Sequence, residues 1–413
     1  MEPPDGTPLI ASVDEHGRLT LPPEQVRRLG LEPGSLVSLR PTRDGLLVRP
    51  PLTYLQKVYV EPTSRCNLNC RICIRNSWDE VQGHMQPDTF QRLLESLARL
   101  EHAPVVVFGG FGEPLFHPRI LEMVAAVRPL AQRVEIITNG LLLTEALTEE
   151  FIRLGLDVLW FSVDSPHADA GGTPSDLLPR IARLHWLREQ AAVRLPETGL
   201  VFVATRANLQ ELPELVRTSA RYGISRYMVT NLLPYSEDVC DQTLYGHTLD
   251  YMESKPSYWA PEVQLPRMDW NDVTHQPLYQ VLRSRPNASI QHVSLSMGQG
   301  RCPFVEGGAL AVSWDGCVSP CLALMHTHVS YLNGAPRAVT RQVVGNIRDA
   351  CLHDIWSDPA HQAFRKRVQE FDFSPCTLCG GCDLAEANQE DCFGNTFPTC
   401  GGCLWAWGII QCP

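Results

Sequence analysis

Apolar residues recur along the middle of the chain in short unbroken runs, each followed by a turn. The runs are KVYVEP (57–62), PVVVFGG (104–110), RVEIITNG (133–140), DVLWFSVDS (157–165), GLVFVATR (199–206) and RYMVTNLLP (226–234). Short apolar runs bounded by Gly, Pro or Asn suit strands of a parallel sheet that is buried on both faces. Between them, TFQRLLESLARL (89–100) and ILEMVAAVRPLAQ (120–132) carry apolar residues at helical spacing. The alternation predicts an α/β fold of six βα units with right-handed crossovers. In such sheets the loops at the carboxyl ends of the strands carry the chemistry.

The pattern changes at both ends. Residues 1–52 hold short β-like runs (LIASV, RLTLP, LVSLRP, GLLVRP) separated by the turn signals EHG, EPG and RDG, with a helical turn or two at PPEQVRRLG stopped by Gly30. This predicts a separate, hairpin-rich module. Residues 53–235 form the βα core. Residues 236–299 carry Tyr245, Tyr251, Tyr258, Trp259, Trp270 and Tyr279 among prolines, as a connector that either closes over a substrate or packs into a core. Residues 300–413 are rich in cysteine.

Composition narrows the class. A length of 413 residues suits two to three domains at ~150 residues each. No apolar stretch reaches the roughly 18 residues of a membrane span, and the N-terminus lacks a basic start and an apolar core, so no signal peptide is expected. The protein reads as cytoplasmic. Fifteen cysteines then point to metal or redox chemistry instead of disulfides. The net charge of −11 disfavours general nucleic-acid binding.

The sharpest signal is EPTSRCNLNCRICIRN, with Cys66, Cys70 and Cys73 spaced C-x3-C-x2-C just after the first apolar run. Three thiolates this close can hold three irons of a [4Fe–4S] cube and leave the fourth iron open to a small molecule. The plainer alternatives are a zinc knuckle or structural thiols. The other strand ends carry polar groups. Gly110-Phe111-Gly112-Glu113-Pro114 follows the second run, Thr138-Asn139-Gly140 the third, Ser162 and Asp164 the fourth, and Asn208 the fifth. Glycines at such turns let backbone approach a ligand closely. Asp164 suits two hydroxyl donors or the cap of the next segment, and Asn208 suits a ligand contact or a helix start.

The loop spacing, with the strand-end motifs that follow in order, resembles the radical S-adenosylmethionine (SAM) enzymes over about residues 53–235. The resemblance implies an incomplete (βα)6 barrel. It implies that the open iron chelates SAM and that cluster reduction yields a 5′-deoxyadenosyl radical. It further implies SAM contacts from Gly110, Gly112, Glu113, Asn139, Ser162, Asp164 and Asn208. Ile72 departs from the aromatic residue common in the family just before the last cysteine.

A second cysteine array follows. Cys302 and Cys321 frame CPFVEGGALAVSWDGCVSPC, where Asp315-Gly316 marks a hairpin turn. GNIRDACLHDIW leads on to Cys376, Cys379, Cys382, Cys392, Cys400, Cys403 and Cys412. This order resembles the SPASM extension of radical SAM maturases, which implies two auxiliary [4Fe–4S] clusters. CTLC and CGGC pairs also suit zinc. The division expected from the resemblance gives Cys302, Cys321 and Cys392, with Cys317 or Cys400, to one cluster. Cys376, Cys379 and Cys382, with Cys403 or Cys412, serve the other. Cys240 and Cys351 are expected to be structural thiols.

VDEHGRLTLPPEQVRRLGLEPGSLV resembles the AbrB-like swapped-hairpin family over residues 7–50. Those modules pair by exchanging hairpins, and many bind DNA. Six Arg against seven Asp or Glu in residues 1–50 leave no basic stripe, so homodimerisation or partner docking is expected over specific DNA binding. Finally, the head CNLNCRICIRNSWDE and the tail DCFGNTFPTCGGCLWAWGIIQCP resemble the maturases associated with tungsten-cofactor oxidoreductases of the aldehyde:ferredoxin type. That resemblance implies an anaerobic enzyme fed by a low-potential donor such as ferredoxin, acting on the partner oxidoreductase or its pterin cofactor. The alternatives are a maturase of ribosomally made peptides, forming thioether or carbon–carbon crosslinks, and a redox-sensing DNA-binding regulator.

Overall fold

The computed structural model describes residues 12–22, 26, 38–42, 45–49, 54–163, 177–245, 262–266, 268–269, 271–274, 276–277, 288–290, 301–332, 334–374, 376–377 and 383–413. Asp164, Cys379, Cys382, Trp259 and Trp270 lie outside the described residues.

The first module contains two hairpins. β1 (Ser12–Val13) pairs antiparallel with β2 (Leu19–Thr20), and β3 (Ser38–Thr42) with β4 (Gly45–Arg49). The EHG turn signal is where the first hairpin reverses. There Asp14 Oδ1 accepts the backbone N–H groups of His16 at 2.9 Å and Arg18 at 2.8 Å.

The six apolar runs form six parallel strands in sequence order: β5 (Lys57–Val60), β6 (Val105–Phe108), β7 (Arg133–Thr138), β8 (Val158–Ser162), β9 (Glu197–Ala204) and β10 (Arg226–Asn231). Two further parallel strands, β11 (Glu262–Leu265) and β12 (Ala288–Ile290), extend the sheet beyond β10. The connector segment therefore continues the sheet. At the opposite edge β13 (Ala309–Val312) pairs parallel with β5, and β14 (Cys317–Ser319) and β17 (Gly345–Asn346) follow antiparallel, so eleven strands among the described residues share one sheet. The turn at Asp315-Gly316 joins β13 to β14 as the sequence predicts. β15 (His328–Leu332) and β16 (Ala335–Val339) form a separate hairpin.

Strand alternation gives the two faces different tasks. Val58, Val60, Val106 and Phe108 pack outward against helices α1 (Pro87–Ala98), α2 (Ile120–Val127) and their successors, through Leu93, Leu97, Met123 and Val124. Burying each such side chain is worth roughly 1.5–3 kcal/mol. Tyr59 and Val107 point the other way and pack with Phe304, Ala309, Ala311 and Leu322–Met325. The cysteine-rich region thus fills the inner face of the sheet beside the strand that leads into Cys66.

Candidate functional site

The loop after β5 carries Cys66, Cys70 and Cys73, all half-buried. The Cys73 N–H donates to the Cys70 carbonyl at 3.1 Å, and the Asn76 amide donates to the same carbonyl at 3.0 Å. Arg75 lies across the loop. Its Nη2 donates to the Leu68 carbonyl at 2.6 Å, and its Nε lies 3.3 Å from Cys73 Sγ. Leu68 N–H donates to Cys66 Sγ at 3.3 Å. Burial pushes the Cys66 thiol up, while Leu68 and Arg75 pull it down. Backbone donors and one cation therefore already face the sulfurs, which suits thiolates ligating iron.

The strand-end motifs converge on this loop. Gly112 presses against it: a Cβ there would lie 2.0 Å from the Thr63 carbonyl oxygen. At Gly110, whose φ is +110°, a Cβ would lie 2.9 Å from the Glu61 side chain. The glycines thus permit close packing of turn against cysteine loop. Glu113 is 3% exposed and its carboxylate is a brace. Oε1 accepts from Thr138 Oγ1 at 2.6 Å and Leu115 N at 2.9 Å, and Oε2 accepts from Asn139 N at 2.7 Å. Burial raises the Glu113 carboxyl despite these three donors. The Asn139 amide reaches the loop, 2.9 Å from Asn67 Oδ1 and 3.8 Å from Cys66 Sγ. Ser162 ends β8, half-buried. Asn208 stands apart in its bonding: its Oδ1 accepts the Thr205 N–H at 2.8 Å and its amide donates to the Val203 carbonyl at 2.9 Å, which closes the turn after β9.

Three residues absent from the sequence reading stand beside these. His326, from the cysteine-rich region, is 2% exposed, and its Nε2 is 3.0 Å from Glu61 Oε2 while its Nδ1 is 2.6 Å from Glu80 Oε2. Burial opposes the imidazolium, but Glu61 and Glu80 outweigh it and push the group up to about 9. Glu61 Oε1 in turn accepts the Phe111 N–H at 3.1 Å. The Trp78 ring packs 4.2 Å from His326. An acid directly after a buried strand (Glu61) was a signal available in the sequence; nothing in the spacing points to His326 or Glu80.

Four thiols of the C-terminal region line one largely apolar cavity: Cys302, Cys321, Cys400 and Cys403. Burial, with Cys403 alongside, pushes the Cys302 thiol up to about 12, and burial also raises Cys321 and Cys400. Such thiols stay protonated unless cationic iron replaces the protons, so the donor set fits a cluster. This grouping differs from the expected division. Cys392 is exposed and sits elsewhere, donating to Ser374 Oγ at 3.1 Å, with Cys376 Sγ 3.6 Å from the same hydroxyl. Cys317 is held apart by Asn346, whose amide lies 3.4 Å from its sulfur. Cys412 Sγ lies 3.9 Å from Tyr59 Oη, in the apolar cluster that also holds Cys302 and Cys403. Cys240 and Cys351 bond locally, to the Ser236 carbonyl and the Asp354 carboxylate.

The sequence signature described as "Radical SAM superfamily" matches residues 60–189, and SPASM, described as "Iron-sulfur cluster-binding domain", matches residues 302–383. The "Tungsten-containing aldehyde ferredoxin oxidoreductase cofactor-modifying protein" of Pyrococcus furiosus is 31% identical over 368 residues, 87% of this chain and 97% of the relative. The chain belongs to the radical SAM superfamily. This radical SAM protein is also 26% identical to a PqqA peptide cyclase of Gluconobacter oxydans, over 86% of this chain and 91% of the other. Its fold matches anSMEcpe with bound AdoMet (TM-score 0.51, 17% identity, 87% of this chain and 92% of that one). It also matches Streptococcus suis SuiB bound to the precursor peptide SuiA (TM-score 0.51, 16% identity, 81% and 71%). As a SPASM-bearing radical SAM enzyme, the protein uses a SAM-binding [4Fe–4S] cluster and auxiliary iron–sulfur clusters. When bound, the first cluster supplies the electron that cleaves SAM.

Proposed function

We propose that the protein is a maturase that modifies the cofactor of a tungsten-containing aldehyde:ferredoxin-type oxidoreductase, or the partner protein that carries it. The observation behind this reading is the Pyrococcus furiosus cofactor-modifying protein, which the chain matches over 97% of that relative's length. Cys66, Cys70 and Cys73 hold the SAM-binding cluster. Arg75 and the Leu68 N–H face their sulfurs, and the Glu113 brace ties the Gly110–Glu113 turn to Asn139. Gly110, Gly112, Asn139, Ser162 and Asp164 line the SAM site around this loop. Two auxiliary cubes occupy the C-terminal region, the first on Cys302, Cys321, Cys400 and Cys403, the second built on Cys376 with Cys379, Cys382 and Cys392. A low-potential donor such as ferredoxin delivers electrons. The hairpin module of residues 1–52 pairs chains or docks the partner. Cytoplasmic, anaerobic operation fits the thiol content, and among the described residues no helix is long and apolar enough to cross a membrane.

A second reading, modification of a ribosomally made peptide, rests on the 26% identity to the PqqA peptide cyclase over 86% of this chain. Incubating the reduced, reconstituted protein with SAM and the apo-oxidoreductase or its isolated pterin cofactor separates the two. A mass change on the oxidoreductase or cofactor, dependent on SAM, is expected. SAM cleavage with no change on either, and modification of a co-encoded peptide instead, establishes the second reading. Changing Cys66, Cys70 and Cys73 together to Ala should abolish SAM cleavage and remove about four irons, because the open-iron cube needs all three thiolates.

A further inference from the structure

Arg337 lies in the middle of β16, opposite Ser330 of β15, and is only 4% exposed. Its Nη1 donates to the Ala385 carbonyl at 2.6 Å. Among the described residues no carboxylate pairs with it. A guanidinium keeps its proton at any ordinary pH, and a buried charge without a counter-ion is costly. The polar partner it lacks must come from something other than an acidic side chain.

Sulfur surrounds it. Arg337 lines the cavity shared by Cys302, Cys321, Cys400 and Cys403. Gly402, between the last two of these, passes so close that a Cβ would lie 2.5 Å from Arg337 Cζ. The guanidinium charge is felt at Cys376, Cys403 and Cys400. One buried cation therefore lines the cavity where Cys302 and Cys321 meet Cys400 and Cys403 from a distant part of the chain. Arg367, another cation near Cys400, is half-buried, and its Nη atoms donate to the Thr396 and Pro398 carbonyls.

We propose that Arg337 is the buried counter-cation of the auxiliary iron–sulfur site on Cys302, Cys321, Cys400 and Cys403 and sets its reduction potential. The inference rests on the reading that these four thiols hold a cluster. A thiolate-ligated cube is anionic, and reduction adds one more negative charge. A fixed cation beside it favours the reduced form and raises the potential. A planar fork with five donors can address sulfurs while still bonding the Ala385 carbonyl, which a lysine ammonium cannot do in the same geometry. Arg337 touches no reacting atom in this account and acts as a tuning residue.

The test uses the full-length chain with Cys66, Cys70 and Cys73 changed to Ala, reconstituted anaerobically, so that only auxiliary signals remain. Redox titration followed by EPR reads the midpoint potentials. Iron-replete Arg337→Met should show at least one auxiliary potential shifted to a more negative value, with Arg337→Lys nearer the parent and Arg367→Met close to it. Unchanged potentials in Arg337→Met overturn the proposal. A second measurement covers loss of iron on substitution: the parent protein grown with nitrogen-15 arginine should show a nitrogen coupling to a reduced auxiliary cluster in pulsed EPR, and Arg337→Lys should change it. Iron-loaded parent protein with no such coupling also overturns it. A parent protein that binds no iron at all overturns the cluster reading itself, which is distinguishable from either result.

Discussion

The Nε2 of His326 lies 3.0 Å from Oε2 of Glu61, and both side chains are almost sealed from solvent. Glu61 directly follows β5, the strand that leads into the cysteine loop, and His326 belongs to the cysteine-rich region. One buried charge pair thus joins the two parts of the protein that carry thiols. Glu80 completes it from the far side of the loop, with Oε1 accepting the Thr327 N–H at 2.7 Å.

The pair makes stability depend on pH. Its histidine titrates near 6.5 when unfolded and at about 9 when folded. The folded state therefore holds the extra proton between these values, and the stabilisation is complete below about pH 6.5 and lost as pH rises through about 9. The contribution is on the order of 3 kcal/mol. Urea unfolding at pH 6.5 and pH 9 should show the loss in the parent and a much smaller one in His326→Gln. Equal pH slopes for both proteins would contradict the assignment.

Gly112→Ala should damage the cysteine loop without touching a thiol. The new methyl would meet the Thr63 and Arg65 carbonyls, which are backbone and cannot swing aside. Overpacking typically costs about 1–3 kcal/mol, and contact with backbone places this change at the upper end. Iron bound per chain should fall by about the four atoms of one cube, with the auxiliary iron retained. Full iron content in the alanine variant would show that the turn tolerates the displacement.

The cysteine groupings can be separated by paired variants. Cys321→Ser with Cys400→Ser removes two of the four thiols around one cavity and should release about four irons. Cys392→Ser should leave that cluster in place, because its sulfur sits against Ser374 instead. SAM cleavage by the Cys66 loop should survive in both. Loss of the same cluster signal in both variants would return Cys392 to the first site.

The parallel sheet was legible because its strands are buried on both faces and so read as continuous apolar runs; β5 to β8 and β10 fall within their runs, and β9 begins two residues before its own. β11 (EVQL) and β12 (ASI) carry too little apolar length to stand out among the prolines around them. The pairing of β13 with β5 was invisible, since no local pattern records a partner so distant in sequence. The loop cysteines were legible because all three lie within eight residues. The C-terminal thiols were not, because Cys302 and Cys321 meet Cys400 and Cys403 only through tertiary packing. The division expected from the resemblance offered Cys317 or Cys400 beside Cys302, Cys321 and Cys392 and gave Cys403 or Cys412 to the other cluster. Glu113 shows the same limit: its position after β6 was plain, but its three donors come from its own turn and from the end of β7.

The pairing of β13 with β5 also sets an order of events during synthesis. β5 leaves the ribosome early, with β6 to cover one edge, while its other edge waits until residues 309–312 have been made. Until then the strand that anchors Cys66, Cys70 and Cys73 presents unpaired N–H and C=O groups, the kind of edge that recruits wrong partners. A nascent chain halted before residue 309 would expose that edge together with three reactive thiols. The sheet edge beside the cysteine loop in the first third of the chain is therefore complete only once residues 309–312 of the last third have been made.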